Sequence, residues 1–304
     1  MLTKIYTRIH NIYQFFIEEI LIQKAKTINI DTVNTVCFIA GPYRNLTSLT
    51  AAIAVLHPNC QVLNHAKDRI LPHNKVDFFS SYSLPKFQLF IKYAILLSTG
   101  GKRGRYGGSI THSHAFDKSL VKEKYHTRFG SNLLKKNIQC LFWKEGLHLS
   151  NHLKKQKISP LDLVKNKSNI RYILPIRNPL DCAISNQKTK MAQIFTNINE
   201  ASSLQDILLE ILDNYLTFFK NQQISKENFF HFYEHSLSSK TLADFCKYLN
   251  IPYNNSWKED VLQIFTIKPS YTYEVEDVAF YKKYVIEKFK DFPNEQEQLL
   301  KFIA

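Results

Sequence analysis

Three observations predict an α/β fold in three layers, with helices on both faces of a central parallel sheet. Short apolar runs recur along the chain, too brief for helices and too continuous for half-exposed strands. Segments with a helical apolar period lie between and after them, and parallel strands need such crossovers. The 304 residues, 44% of them hydrophobic, can bury one large core, so the chain is read as one domain over 1–304.

Residues 1–30 open the chain with apolar Ile5, Ile9, Ile12, Phe16 and Ile20, interrupted by Lys4, Arg8, Glu18 and Glu19. That pattern predicts an amphipathic helix packed on the body of the domain, with membrane-surface binding left open. The charges also break the continuous apolar region a signal peptide needs. The strands predicted next are "TVCFIA" (35–40), "NIQCLFWK" (137–144), "NIRYILPI" (169–176) and "NFFHFYE" (228–234). In "SLQDILLEILDNYLTFFK", Leu204, Ile207, Leu208, Ile211, Leu212, Tyr215, Phe218 and Phe219 fall on one helical face. "KTLADFCKYLNIP" is a further helix, stopped by Pro252. Residues 67–131 have weak periodicity and include "STGGKRGRYGGSITHSHAF", which holds five of the eight glycines. They read as a variable, mobile insertion that shapes a binding site.

Forty Lys and Arg against 26 Asp and Glu give a formal charge of +14, which favours a polyanionic ligand, nucleic acid or an anionic membrane surface. An AT-rich genome would also raise the lysine count. The five cysteines, Cys37, Cys60, Cys140, Cys182 and Cys246, are scattered in apolar runs without a CxxC pair. They read as reduced core thiols of a cytoplasmic protein. No run approaches the about 18 apolar residues of a transmembrane helix.

Two strand-to-helix junctions carry candidate chemistry. After "VCFIA" comes "GPYRNLTSLTAAIAVL", a glycine turn, a basic residue, hydroxyls and a helix. Free backbone N–H groups and the helix dipole make such a junction an anion site. Against the Walker pattern GxxxxGK[ST], Gly41 and Ser48 fit, but Leu46 and Thr47 stand where glycine and lysine belong, which disfavours a nucleotide triphosphatase. A plain turn with Thr47 or Ser48 in the first helical turn is the structural alternative. In "RYILPIRNPLDCAIS", Arg177 ends a strand, Asn178-Pro179 starts a helix and Ser185 lies about two turns inside it. A guanidinium fork with a hydroxyl beside it suits phosphate oxygens; a solvent-facing arginine and a helix-interior serine are the alternative.

Together, "GPYRNLTSL" and "YILPIRNPLDCAIS" resemble the two cofactor signatures of the sulfotransferases that use 3′-phosphoadenosine 5′-phosphosulfate (PAPS), a family with a P-loop-like αβα architecture. The resemblance runs from about Thr35 to the C-terminus and includes "FFHFYEHS" and "TIKPSYTYEVEDVAFYKKY". It implies that Arg44, Asn45, Leu46, Thr47 and Ser48 form the 5′-phosphosulfate loop and that Arg177 and Ser185 hold the 3′-phosphate. Tyr233 would lie near adenine, and Lys268 or Ser270 would close over the nucleotide. Leu46 stands where the family has glycine, which restricts the backbone.

Sulfuryl transfer, like phosphoryl transfer, is governed by positioning and cationic stabilisation. The resemblance puts Lys144 near the transferred group. The family's histidine position is Gly146 here, so the base comes from elsewhere: His65 first, then His114, beside His112 in the glycine-rich loop, then His148. No metal is required. Residues 67–131, with Arg103, Arg105 and aromatic residues nearby, suggest a polar or anionic acceptor bearing a hydroxyl or amine, with a carbohydrate or glycan favoured and a peptide, a small alcohol and the oligomeric state left open. The alternatives are a P-loop kinase-like nucleotide-binding protein, or a basic nucleic-acid or membrane-surface binding protein; no nucleic-acid partner is expected from the favoured reading.

Overall fold

The structure is a computed structural model that describes residues 16–100, 108–165, 167, 169–266 and 271–304. Helix α1 (16–26) leads into β1 (Thr35–Ile39), α2 (Thr47–Leu56), β2 (Cys60–Asn64), α3 (Lys67–Ile70), α4 (Leu84–Ser98) and α5 (Ser119–Phe129). There follow β3 (Cys140–Lys144), α6 (Leu147–Lys155), α7 (Pro160–Val164), β4 (Ile170–Ile176), α8 (Pro179–Lys188) and α9 (Leu204–Ile224). The chain continues through β5 (Phe229–Tyr233), α10 (Ser239–Leu249), α11 (Asn255–Ile264), α12 (Val275–Lys288) and α13 (Pro293–Leu300).

The strands form one parallel sheet in the order β2-β3-β1-β4-β5. Alternation along β1 splits the core in two. Val36 and Phe38 face a layer built from α1, α4, α8, α9 and α12, where Phe87, Phe90, Tyr215 and Tyr281 are buried. Cys37 and Ile39 face the opposite layer, where Ile53 of α2, Tyr125 of α5, Phe245 of α10 and Trp257 of α11 pack. The result is the three-layer αβα architecture. The chain leaves β1 toward β2 on one side and leaves β4 toward β5 on the other, so a crevice opens between the carboxyl ends of β1 and β4.

The helix expected from the eight apolar positions of residues 203–220 is α9, with seven of them, Ile207 through Phe219, buried. Elsewhere the structure departs from the sequence pattern. Strand β2 has no apolar run, because Gln61 and Asn64 interrupt it, yet both are buried. Gln61 Nε2 donates to Ser98 Oγ and to Leu133 O, and its Oε1 accepts from Lys135 N, so tertiary partners replace the alternation. Within 67–131, α4 is a core helix with Phe87, Phe90, Ile91, Tyr93, Ala94, Ile95 and Leu97 buried. It is apolar nearly all round, which conceals its period. The glycine-rich residues 101–107, with Arg103 and Arg105, lie outside the described residues. Helix α1 turns Ile22 and Ala25 inward, while Phe16 and Ile20, expected on the packed face, are 61% and 55% exposed.

All five cysteines are free and buried. No helix among the described residues is long and apolar enough to cross a membrane.

Candidate active site

The loop after β1 is shaped by backbone geometry before side chains enter. Gly41 has φ +89, and a Cβ there would stand 2.5 Å from Leu174 Cδ1 and 3.3 Å from Asn45 Nδ2, so only glycine fits against β4. Arg44 and Leu46 both adopt left-handed conformations, at φ 63 and φ 58. Leu46 is the N-cap of α2, makes no side-chain capping bond, and no acidic residue occupies the first turn. The positive end of α2 is thus left open toward the cleft that Thr47, Ser48 and Leu49 line.

Asn45 holds this loop in place. Its Nδ2 donates to Pro175 O, and its Oδ1 accepts from Arg177 N at 2.9 Å and from Tyr215 OH at 2.7 Å. The side chain is fully buried and engaged inside the fold, so it ties the loop after β1 to the end of β4 and does not face the cleft. Across the crevice, Arg177 Nη2 donates to Asp181 Oδ2 at 3.1 Å, and Tyr273 OH donates to Asp181 Oδ1 at 2.7 Å. Asn178 caps α8 by accepting from Leu180 N through Oδ1, and its own N–H donates to Glu234 Oε1 at 2.7 Å. Arg44 Nε donates to Ser185 Oγ at 2.8 Å, joining the two junctions side chain to side chain.

The cleft has a volume of about 1190 Å³, and its wall includes Arg44, Leu46, Thr47, Ser48, His65, His114, Lys144, His148 and Arg177. Residues chosen from separate parts of the sequence therefore meet in one cavity. His65 follows β2 with φ 58. Its N–H donates to Lys144 O at 3.1 Å, and Trp143 Nε1 donates to its carbonyl, which clamps it to the end of β3. Its Nε2 is 3.5 Å from Lys144 Nζ, and its Nδ1 is 3.8 Å from Glu145 Oε1.

His148 packs edge-on against Tyr43, and burial, followed by the charges of Lys67 and His65, pushes its pKa down to about 4. His114 sits at the rim, its Nδ1 2.7 Å from Asp117 Oδ2. Gly146 occupies a backbone conformation of φ 62, ψ −129 that L side chains rarely adopt, a physical reason for glycine at that position.

Tyr233 is buried, stacked on His235 with ring centroids 5.5 Å apart, and away from the cleft wall. Lys268 and Ser270 lie outside the described residues. Sequence reasoning passed over Glu145, Glu234, Asp181 and Tyr273. Glu145 directly follows the strand-end lysine in "WKEG", a local cue. Asp181 also had a local cue, lying four residues after Arg177, whereas Glu234 and Tyr273 act through contacts between distant segments. Among the described residues, no group of three or more His, Cys, Asp or Glu is placed to hold a metal.

No family model matches the chain and no curated protein matches it. Three of the solved structures similar to it are sulfotransferases or sulfotransferase domains. Mouse sulfotransferase SULT7A1 complexed with PAP gives a TM-score of 0.46 at 10% identity, over 93% of this chain and 92% of that one. The sulfotransferase domain of the Synechococcus PCC 7002 olefin synthase gives 0.39 at 9% identity, over 82% of this chain and 94% of that one. Sulfotransferase STF9 from Mycobacterium avium gives 0.40 at 12% identity, over 87% of this chain and 78% of that one. At these scores the reading of the site rests on its own residues.

Proposed function

We propose that the protein is a sulfotransferase that moves a sulfuryl group from PAPS to a hydroxyl of an acceptor, with a carbohydrate favoured. The observation that carries this reading is the meeting of two strand-to-helix junctions at one crevice, joined by the Arg44 to Ser185 hydrogen bond at 2.8 Å. PAPS is an adenosine with charged groups on two sides, and it needs two such places. The open end of α2, with Arg44, Thr47 and Ser48, suits the 5′-phosphosulfate. Arg177, on the cleft wall, suits the 3′-phosphate, the group absent from ATP, and Ser185, buried off that wall, accepts from Arg44 beside it.

PAPS, when bound, supplies the sulfuryl group and its leaving phosphate. Lys144, at the end of β3, offers a cation to the charge that develops between them. His65, with a ring nitrogen at the cleft, takes the acceptor's proton. The about 1190 Å³ of cleft exceeds the room one nucleotide fills, and Lys118, Gln263 and Thr266, which also line it, would serve as polar partners for a hydroxylated acceptor.

The test is thermal stabilisation by adenosine 3′,5′-bisphosphate in the absence of magnesium, followed by a screen of acceptor pools with labelled PAPS. A rise in Tm that 5′-AMP does not match is expected. No shift at millimolar ligand, or stabilisation by ATP only with magnesium, overturns the reading.

A further inference from the structure

Resting on that reading, we propose that Glu145 is a positioning residue: its carboxylate faces His65 Nδ1, fixes the proton there, and leaves Nε2 as the lone pair that takes the acceptor's proton. The geometry comes from two strand ends. Glu145 follows Lys144 at the end of β3, and its side chain is 1% exposed against 21% for His65. Neither carboxylate oxygen has a hydrogen-bond partner among the described residues, and the nearest basic group is His65 Nδ1 at 3.8 Å. A fully buried carboxylate without a partner is unfavourable, and such groups persist where they serve a site.

The other ring nitrogen agrees with this direction. Lys144 Nζ lies 3.5 Å from His65 Nε2, and an ammonium can only donate. At that distance it neither occupies the Nε2 lone pair nor sets the tautomer alone, so the hydrogen on Nδ1, pointing at Glu145, depends on the carboxylate. Burial holds the Glu145 carboxyl above the usual carboxylate range, and His65, followed by the charges of Lys67 and Lys144, draws it back toward its ionised form. Tyr43, whose hydroxyl donates to Glu145 O at 3.3 Å, holds the backbone of the same residue. In turnover the acceptor's hydroxyl proton passes to Nε2 as its oxygen attacks sulfur. The bond from sulfur to the nucleotide phosphate breaks, and the electron pair leaves with the phosphate. The imidazolium so formed keeps its Nδ1–H toward Glu145, which offsets the new charge.

The experiment compares the wild type with Glu145→Leu, a swap that removes both the charge and the acceptor atoms from a buried site. Histidine-labelled nitrogen NMR should find the His65 proton on Nδ1 in the wild type, and that preference should vanish in the variant. The variant should lose about 100-fold in kcat and bind adenosine 3′,5′-bisphosphate within about twofold of the wild type. A proton on Nε2 in the wild type, an unchanged tautomer in the variant, or nucleotide affinity falling in step with kcat would overturn the proposal. If Glu145→Leu fails to fold, the wild-type spectrum decides alone. If no acceptor is ever turned over, the sulfotransferase reading falls while the tautomer still decides the role of Glu145.

Discussion

The two helix ends that meet at the crevice are built on opposite plans. Helix α2 begins without a side-chain cap, without an acidic residue in its first turn, and with two left-handed non-glycine residues just before it. Helix α8 begins with Asn178 as a cap, Pro179 in its first turn and Asp181 already paired with Arg177. The first offers backbone N–H groups and a dipole to whatever anion arrives. The second has its backbone satisfied internally and offers a guanidinium that Asp181 and Arg44 O hold in one orientation. An open helix end accepts phosphate, sulfate or phosphosulfate alike, whereas an oriented arginine selects for a group at one place. Discrimination among nucleotides should therefore reside at α8, and the site's tolerance at α2.

Arg177→Ala breaks the comparison most severely. Affinity for adenosine 3′,5′-bisphosphate should fall about 100-fold, ~2.8 kcal/mol, as expected when one partner of a partly buried charge pair is truncated. Adenosine 5′-phosphosulfate, which lacks the 3′-phosphate, should bind as before. Calorimetric titration with both ligands checks this; equal losses would make the arginine a structural strut between Asp181 and Arg44 O.

Gly41→Ala attacks the other end through the backbone. The added Cβ meets Leu174 Cδ1 at 2.5 Å in a residue with φ +89. Strain and overpacking together should cost about 2 kcal/mol in urea unfolding. Affinity for the 5′-only ligand should fall further than discrimination by the 3′-phosphate. Ser185→Ala is milder: it removes one hydroxyl, the acceptor for Arg44 Nε at 2.8 Å. A loss of about 1 kcal/mol, roughly fivefold in adenosine 3′,5′-bisphosphate affinity, is expected.

How much of this could be read from sequence follows the same division. The strand, turn and helix that carry Arg177 and Ser185 were legible because their signals are local. The sheet was legible where strands are buried on both faces, as in "YILPI", and hidden at β2, where Gln61 is buried through Ser98, Leu133 and Lys135. Asn45 shows the limit most clearly. Its type and place fit a phosphate loop, but its partners Pro175, Arg177 and Tyr215 lie 130 to 170 residues away. Only the folded chain turns that side chain inward. The pairing of His65 with Glu145 was concealed likewise, since β2 and β3 are neighbours in space and 80 residues apart in sequence.

Leu46 is where sequence and structure pull hardest against each other, and the smallest predicted effect there is the most informative about α2. The leucine takes φ 58, ψ 10, the conformation glycine would adopt freely. A left-handed non-glycine residue costs roughly 1–2 kcal/mol, while glycine gives back about 0.5–1 kcal/mol as added freedom of the unfolded chain. The first is larger, so Leu46→Gly should stabilise the protein by ~0.5 kcal/mol in urea titration. The leucine side chain also lines the cleft beside Thr47 and Ser48. If its role is to exclude water from the end of α2, Leu46→Gly should gain stability and lose turnover together, with nucleotide affinity unchanged within about twofold. Stability that falls instead would mean the loop is held by leucine packing more firmly than by its backbone.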